Sequence, residues 1–321
     1  MTTLFHCAKL VTESREKSDN FPLPNKKEVL SMQKIIAFFM SIIAFIMSLF
    51  GITPKTPGVT AYQDLAYGSV SQSQKLDLYL PERDDKNVGL IVYIHGGAWQ
   101  SGDKKELTET AKGVTRDFGY ATASLNYRML GEKATYVEML EDIGSALTLI
   151  KQKAEENGYS IKSCGLIGYS AGAHLSLLYG FKNHSVSPIR VAYVSSLAGP
   201  TDLTDPNFYQ NEALAPILGS LAGVSGLTAD NYTQYMTELL AASPISYAAA
   251  DVPKTILCHG TADDIVPYSN AQRLDCALEN AGASYRLITF EGDNHGLGTD
   301  TASSDLYYQT LVEWSKTAFG Y

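Results

Sequence analysis

Basic residues are scarce in this chain. Lysine and arginine number 25 against 34 aspartates and glutamates, a net charge of −9. A surface of that sign repels phosphate backbones, which excludes nucleic acid as a partner. Cysteine is scarcer, with only Cys7, Cys164, Cys258 and Cys276. None forms a C-x-x-C pair and none has a histidine at ligand spacing, so neither a zinc knuckle nor a dithiol redox motif is available, and no metal site is expected. Cys164 and Cys258 lie in apolar strand-like runs, where a thiol behaves as a small buried hydrophobe. Heptads, internal repeats and low-complexity tracts are missing too, which excludes coiled coils and solenoids. What is left is a 321-residue chain that is 45% hydrophobic. That is enough for one large α/β domain or two small ones.

A long uncharged, strongly apolar run extends from Ile35 to Ile52, directly after Met32-Gln33-Lys34. A basic start followed by such a run reads as an export signal or a membrane anchor. Val59-Thr60-Ala61 offers a cleavage site, and Gly51 and Pro54 end the run. Lys26, Lys27 and Lys34 precede it and only Lys55 follows closely. The positive-inside tendency then places the rest of the chain outside the cytoplasm. Residues 1–31 are polar and without periodicity, as in a disordered extension, or one mis-assigned ahead of a start at Met32. The expected division is 1–31, 32–61 and a folded domain over 62–321.

From Tyr62 onward strands alternate with helices. Lys75 to Leu80 alternates and ends at Pro81, like a strand with one wet face. Gly89 to Ile94 is apolar throughout, like a strand covered on both sides. Further strands are expected at 121–125, 163–167, 191–197, 254–259 and 285–290, and helices at 104–118, 135–155, 171–182, 268–281 and 303–318. This alternation implies a mostly parallel sheet of about eight strands with helices on both faces. Residues 201–250 are irregular, with scattered Gly and Pro, and read as a cap over the site.

Ligands bind beyond the carboxyl ends of parallel strands, and three chemically complementary loops fall there. The first, Gly168-Tyr169-Ser170-Ala171-Gly172, places a serine on a tight strand-to-helix turn. The second contains Asp263 and Asp264, and the third contains His295. A serine hydroxyl is a weak nucleophile and needs a base, which His295 supplies. The imidazole in turn needs a carboxylate to fix its tautomer and stabilise its cation, the role of Asp263. A fourth stretch, His95-Gly96-Gly97-Ala98, follows an apolar strand. Its glycines let backbone amides converge on an oxyanion, so Gly97, Ala98 and Ala171 are the expected donors. Losing one such donor costs roughly 3–4 kcal/mol of barrier. Trp99 is expected to pack over the turn or the pocket wall rather than act in the chemistry; it and Tyr169, beside these turns, are the expected substrate contacts, and His174 is expected to be a core histidine that fixes the helix after the serine.

These residues carry a family resemblance. Leu76 to Pro81, Tyr93 to Trp99, Ser101-Gly102-Asp103-Lys104, Asn126-Tyr127-Arg128 and Gly168 to Leu175 together resemble the α/β-hydrolase superfamily. Within it they look like the carboxylesterase branch that includes the BD-FAE and hormone-sensitive-lipase-like groups. The resemblance implies an α/β-hydrolase fold, a Ser170–Asp263–His295 triad with the first of the two aspartates as the acid, and no cofactor. It implies short acyl esters as substrates, small molecules or acetylated or feruloylated carbohydrate. Ala98 stands where lipase-like members often carry a third glycine, which leans toward the BD-FAE or kynurenine-formamidase-like subset. Two alternatives come from other classes. His259 to Val266 also resembles prolyl-oligopeptidase-like peptidases, but the 61 residues ahead of Tyr62 are too few for their gating domain. A non-catalytic module on the same fold usually lacks the serine or the histidine, and this chain has both.

Overall fold

The computed structural model describes residues 58–209 and 212–320. The expected extension at 1–31 and the apolar run 35–52 lie outside the described residues. Among the described residues no helix is long and apolar enough to cross a membrane.

In chain order the elements begin with strands β1 (Val59–Ala66), β2 (Lys75–Pro81) and β3 (Asn87–Ile94). A 3-10 turn at Lys104–Leu107 leads into helix α1 (Thr108–Phe118), then β4 (Ala121–Leu125), α2 (Tyr136–Glu156), β5 (Ser160–Tyr169), α3 (Ala171–Asn183) and β6 (Arg190–Leu197). Three short helices follow: α4 (Pro206–Tyr209), α5 (Ala215–Ala222) and α6 (Met236–Ala241). The chain closes with β7 (Lys254–Gly260), α7 (Ser269–Ala281), β8 (Tyr285–Phe290) and α8 (Thr301–Phe319). The strands form one sheet in the order β1-β2-β4-β3-β5-β6-β7-β8. β2 runs antiparallel to both of its neighbours and every other pairing is parallel. This is the expected α/β-hydrolase architecture.

Alternation along β3 divides the core between the two faces. Leu90, Val92 and Ile94 join the large cluster that includes Met139 and Leu147 of α2 and Leu175 and Leu178 of α3. Ile91 and Tyr93 turn the other way, toward Ala111 of α1 and Leu311 and Trp314 of α8. A strand buried on both faces must be apolar at every position, and β3 is from Val88 onward.

The helix expected at 104–118 is shorter. Asp103 caps the turn at Lys104–Leu107 with a reciprocal Glu106 bond, and the α-helix starts at Thr108. The first strand begins at Val59, ahead of the expected domain start at Tyr62. Its Thr60 and Ala61 pair with Leu80 and Tyr79, so the expected cleavage site lies inside paired strand. β1 is not visible in the sequence because it is an edge strand with a mostly wet face and a register shift between Tyr62 and Leu65, where Asp64 adopts φ 54°. A bulge destroys the period of two that marks a strand. The irregular 201–250 stretch packs onto the main core through Leu203, Phe208, Leu218, Leu221 and Leu239.

Candidate active site

Three strand ends converge at one edge of the sheet. β5 ends at Tyr169 and α3 starts at Ala171, so Ser170 alone makes the turn, with φ 53° and ψ −119°. Such a conformation costs about 1–3 kcal/mol for a residue with a side chain and persists only where the surroundings enforce it. The enforcement is steric. A Cβ on Gly168 would lie 2.2 Å from the Gly172 carbonyl oxygen, and one on Gly172 would lie 2.1 Å from the Ile94 carbonyl oxygen. Only glycine fits either position, and the helix start is thereby pressed against the end of β3.

His295 brings its Nε2 to 2.9 Å from Ser170 Oγ, which donates to it. Its Nδ1 donates to Asp263 Oδ2 at 2.8 Å. Asp263 is deeply buried, and its other oxygen accepts the amides of Ile265 and Val266, each at 2.9 Å. Burial pushes the Asp263 carboxyl upward, but hydrogen bonds from His259, His295 and these two amides outweigh it and hold the carboxyl well below the usual carboxylate range. The neighbouring Asp264 is exposed. The hydroxyl, imidazole and carboxylate thus stand in the relay order that nucleophilic acyl transfer requires.

The loop after β3 supplies amides. Gly97, Ala98 and Trp99 have φ values of 103°, 51° and 58°. Among the described residues no backbone acceptor takes the amides of Gly97, Ala98 or Ala171. Ala171 opens α3, where a helix leaves its first N–H groups unpaired and its dipole favours negative charge. Gly96 adjoins the elbow closely enough that a Cβ there would touch the Tyr169 carbonyl oxygen and Ser170 Cβ.

This loop is anchored by residues that sequence reasoning did not assign. The Lys104 ammonium is 2% exposed and pairs with Asp77 at 2.7 Å and Asp64 at 2.9 Å. The Tyr127 ring stacks on His95 at 4.5 Å, and its hydroxyl donates to the His95 carbonyl at 3.1 Å. Asp77, a charge inside the apolar Leu76-Asp77-Leu78 run, was the available signal, since a buried carboxylate needs a partner.

Trp99 was expected to touch substrate and is instead buried, 2% exposed. Its indole N–H donates to His174 Nδ1 at 3.3 Å, and His174 Nε2 donates to the Ala242 carbonyl at 2.7 Å. At 2% exposure the ring offers no accessible face to a ligand. His174 is wholly buried, which pushes its imidazole down to about 4 against the opposing bond to Ala242. Tyr169 is 37% exposed, and its hydroxyl donates to the His295 carbonyl at 3.0 Å. An apolar cavity of about 510 Å³ lies between α1 and α8, lined by Tyr93, Val114, Tyr169 and Leu311 among others; Ser170 and His295 do not line it.

A family model described as BD-FAE matches residues 76–278, more than half of the chain. The chain belongs to the BD-FAE family. The BD-FAE match includes Ser170 and Asp263 and ends before His295. Among curated relatives, a Mycobacterium tuberculosis protein named probable carboxylic ester hydrolase LipM is 27% identical over 69% of this chain and 55% of its own length. The Arabidopsis thaliana isoprenylcysteine alpha-carbonyl methylesterase ICME is 26% identical over 79% of this chain and 59% of its own. The chain therefore spans little more than half the length of the curated relatives it matches. A solved structure described as a truncated carbohydrate esterase from gut microbiota superposes with a TM-score of 0.68 at 22% identity, covering 84% of this chain and 99% of that one. At that identity the likeness to this BD-FAE chain is one of fold.

Proposed function

We propose that the chain is a serine carboxylic-ester hydrolase acting on short-chain acyl esters. The observation that carries this reading is the unbroken hydrogen-bond chain from Ser170 through His295 to Asp263, on a turn of enforced positive φ. His295 Nε2 takes the Ser170 proton as Oγ attacks the ester carbonyl carbon. Asp263 stabilises the imidazolium, and the amides of Gly97, Ala98 and Ala171 receive the oxyanion. The tetrahedral intermediate collapses as His295 gives its proton to the leaving alcohol oxygen, which leaves Ser170 acylated. Water, deprotonated by His295, then releases the acid and restores the serine. No step calls on a cofactor. Membership of the BD-FAE family and the names of LipM and ICME, both ester hydrolases by name, support the reading.

The substrates proposed are acetyl or small aromatic acyl esters, with a small molecule or carbohydrate as the alcohol. The acidic surface favours these over lipid, as does a 201–250 stretch that does not read in sequence as a large apolar lid. The run from Ile35 to Ile52 is proposed to export or anchor the chain, with the hydrolase domain outside the cytoplasm.

A fluorophosphonate probe and a series of p-nitrophenyl esters test the reading. Labelling of Ser170, with turnover greatest on acetate or butyrate, is expected. An unlabelled serine refutes the nucleophile, and a maximum at decanoate or longer refutes the short-acyl assignment.

A further inference from the structure

Asp263 is held by two histidines. His259 lies next to last in β7 and its side chain is 2% exposed. Its Nε2 is 2.8 Å from the Val266 carbonyl oxygen and 3.2 Å from Asp263 Oδ2. A carbonyl oxygen only accepts, so Nε2 must carry a proton. That N–H bonds the Val266 carbonyl, and its positive end also lies beside the Asp263 carboxylate. Oδ2 therefore receives His295 Nδ1–H and lies 3.2 Å from the proton-bearing Nε2 of His259, while Oδ1 receives two backbone amides. The packing leaves little room for another arrangement. A Cβ on Gly260 would lie 2.2 Å from the Asp293 carbonyl oxygen, so the end of β7 is pressed against the turn that carries His295.

We propose that His259 is a positioning residue for ester hydrolysis: its Nε2–H aims Asp263 Oδ2 at His295 and shares the carboxylate's charge with it. This rests on the reading of Ser170, His295 and Asp263 as a triad. The sharing has a chemical consequence. A carboxylate with one donor fewer is a stronger base and stabilises the protonated form of its remaining imidazole partner more strongly. The other titratable groups near Asp263 do not compensate. Asp264 is exposed, the Asp293 carboxylate is bonded to Thr299, the Tyr169 hydroxyl is committed to His295, and the Tyr268 hydroxyl pairs with Thr289.

The test compares full-chain wild type, His259→Leu and His259→Gln, whose amide keeps a donor near the position of Nε2. In His259→Leu the ascending limb of kcat/KM against pH should move up by about half a pH unit or more. kcat on the plateau should fall about tenfold with KM little changed. His259→Gln should restore both. A fall in activity with the limb unmoved would mean that His259 only supports the loop, and that overturns the proposal, as does an unchanged enzyme. A second measurement needs no variant. Long-range ¹H–¹⁵N correlation on the wild-type chain should show His259 as the Nε2–H tautomer, and an Nδ1–H tautomer overturns the proposal whatever the variants do. Fluorophosphonate labelling of the same samples separates the two claims. An unlabelled Ser170 removes the triad reading, whereas a labelled Ser170 beside an Nδ1–H His259 removes only this inference.

Discussion

The Tyr169 hydroxyl donates to the backbone carbonyl of His295 at 3.0 Å, and the two rings lie 5.3 Å apart. The residue before Ser170 thus holds the loop that carries His295, so the turn and the histidine cannot drift apart independently. Tyr169→Phe removes this bond and keeps the ring. One hydrogen bond contributes about 0.5–1.5 kcal/mol, so kcat should fall about threefold to tenfold with KM nearly constant. Steady-state kinetics on p-nitrophenyl acetate check this. A raised KM with kcat unchanged would instead make Tyr169 the substrate contact that its sequence position suggested.

Ser170→Ala and His295→Ala should each lower kcat by about 10⁴-fold or more, and the double variant should be little worse than either, because in the proposed mechanism the two residues share one proton transfer. Losses that multiply in the double variant would show that they act in separate steps. Asp263→Asn should be far more damaging than Asp264→Asn, since only Asp263 accepts the His295 N–H.

Most of the sheet was legible in the sequence because buried parallel strands are apolar at every position and leave no ambiguity of face. β3 is of this kind from Val88 onward, and β7 is over Ile256 to Cys258. The loops that end such strands were legible for a related reason: polar residues directly after an apolar run must face the site. β1 was not legible, because half of an edge strand faces water and its bulge breaks the period. The role of Trp99 was not legible either, because nothing in its local sequence reveals that it bonds His174, which is 75 residues away. His259 stands out in the sequence only through its family pattern. Its bond to Asp263 depends on a turn over Val266 that periodicity does not describe.

The position of β1 predicts where the domain can be cut. A chain beginning at Tyr62 loses the pairs Val59–Pro81, Thr60–Leu80 and Ala61–Tyr79, together with the Glu82 amide bond to the Gly58 carbonyl. Relative to a chain beginning at Pro57, it should unfold at a temperature lower by about 2–8 °C, the change expected for one or two kcal/mol in a domain of this size. Equal melting temperatures in paired thermal scans would mean that the first half of β1 contributes nothing to the fold.

His174 predicts a pH dependence of stability. In the unfolded chain its imidazole titrates near the usual value of about 6.5, and burial in the native state lowers this to about 4. Between these values the unfolded chain binds a proton that the native chain does not, so stability rises with pH across the window. The contribution is fully present above about 6.5 and is lost as the pH falls toward 4. Each pH step of one across that window removes about 1.4 kcal/mol, so the whole loss is on the order of 3 kcal/mol. Protonation would also turn Nδ1 from an acceptor into a donor facing the Trp99 N–H, which breaks the link between the loop after β3 and the segment at Ala242. Urea unfolding of wild type and His174→Gln at several pH values between 7 and 4.5 isolates the effect. The stability difference between the two proteins should shrink as the pH falls, because glutamine does not titrate. A difference that stays constant over that range would show that His174 takes up no proton on unfolding.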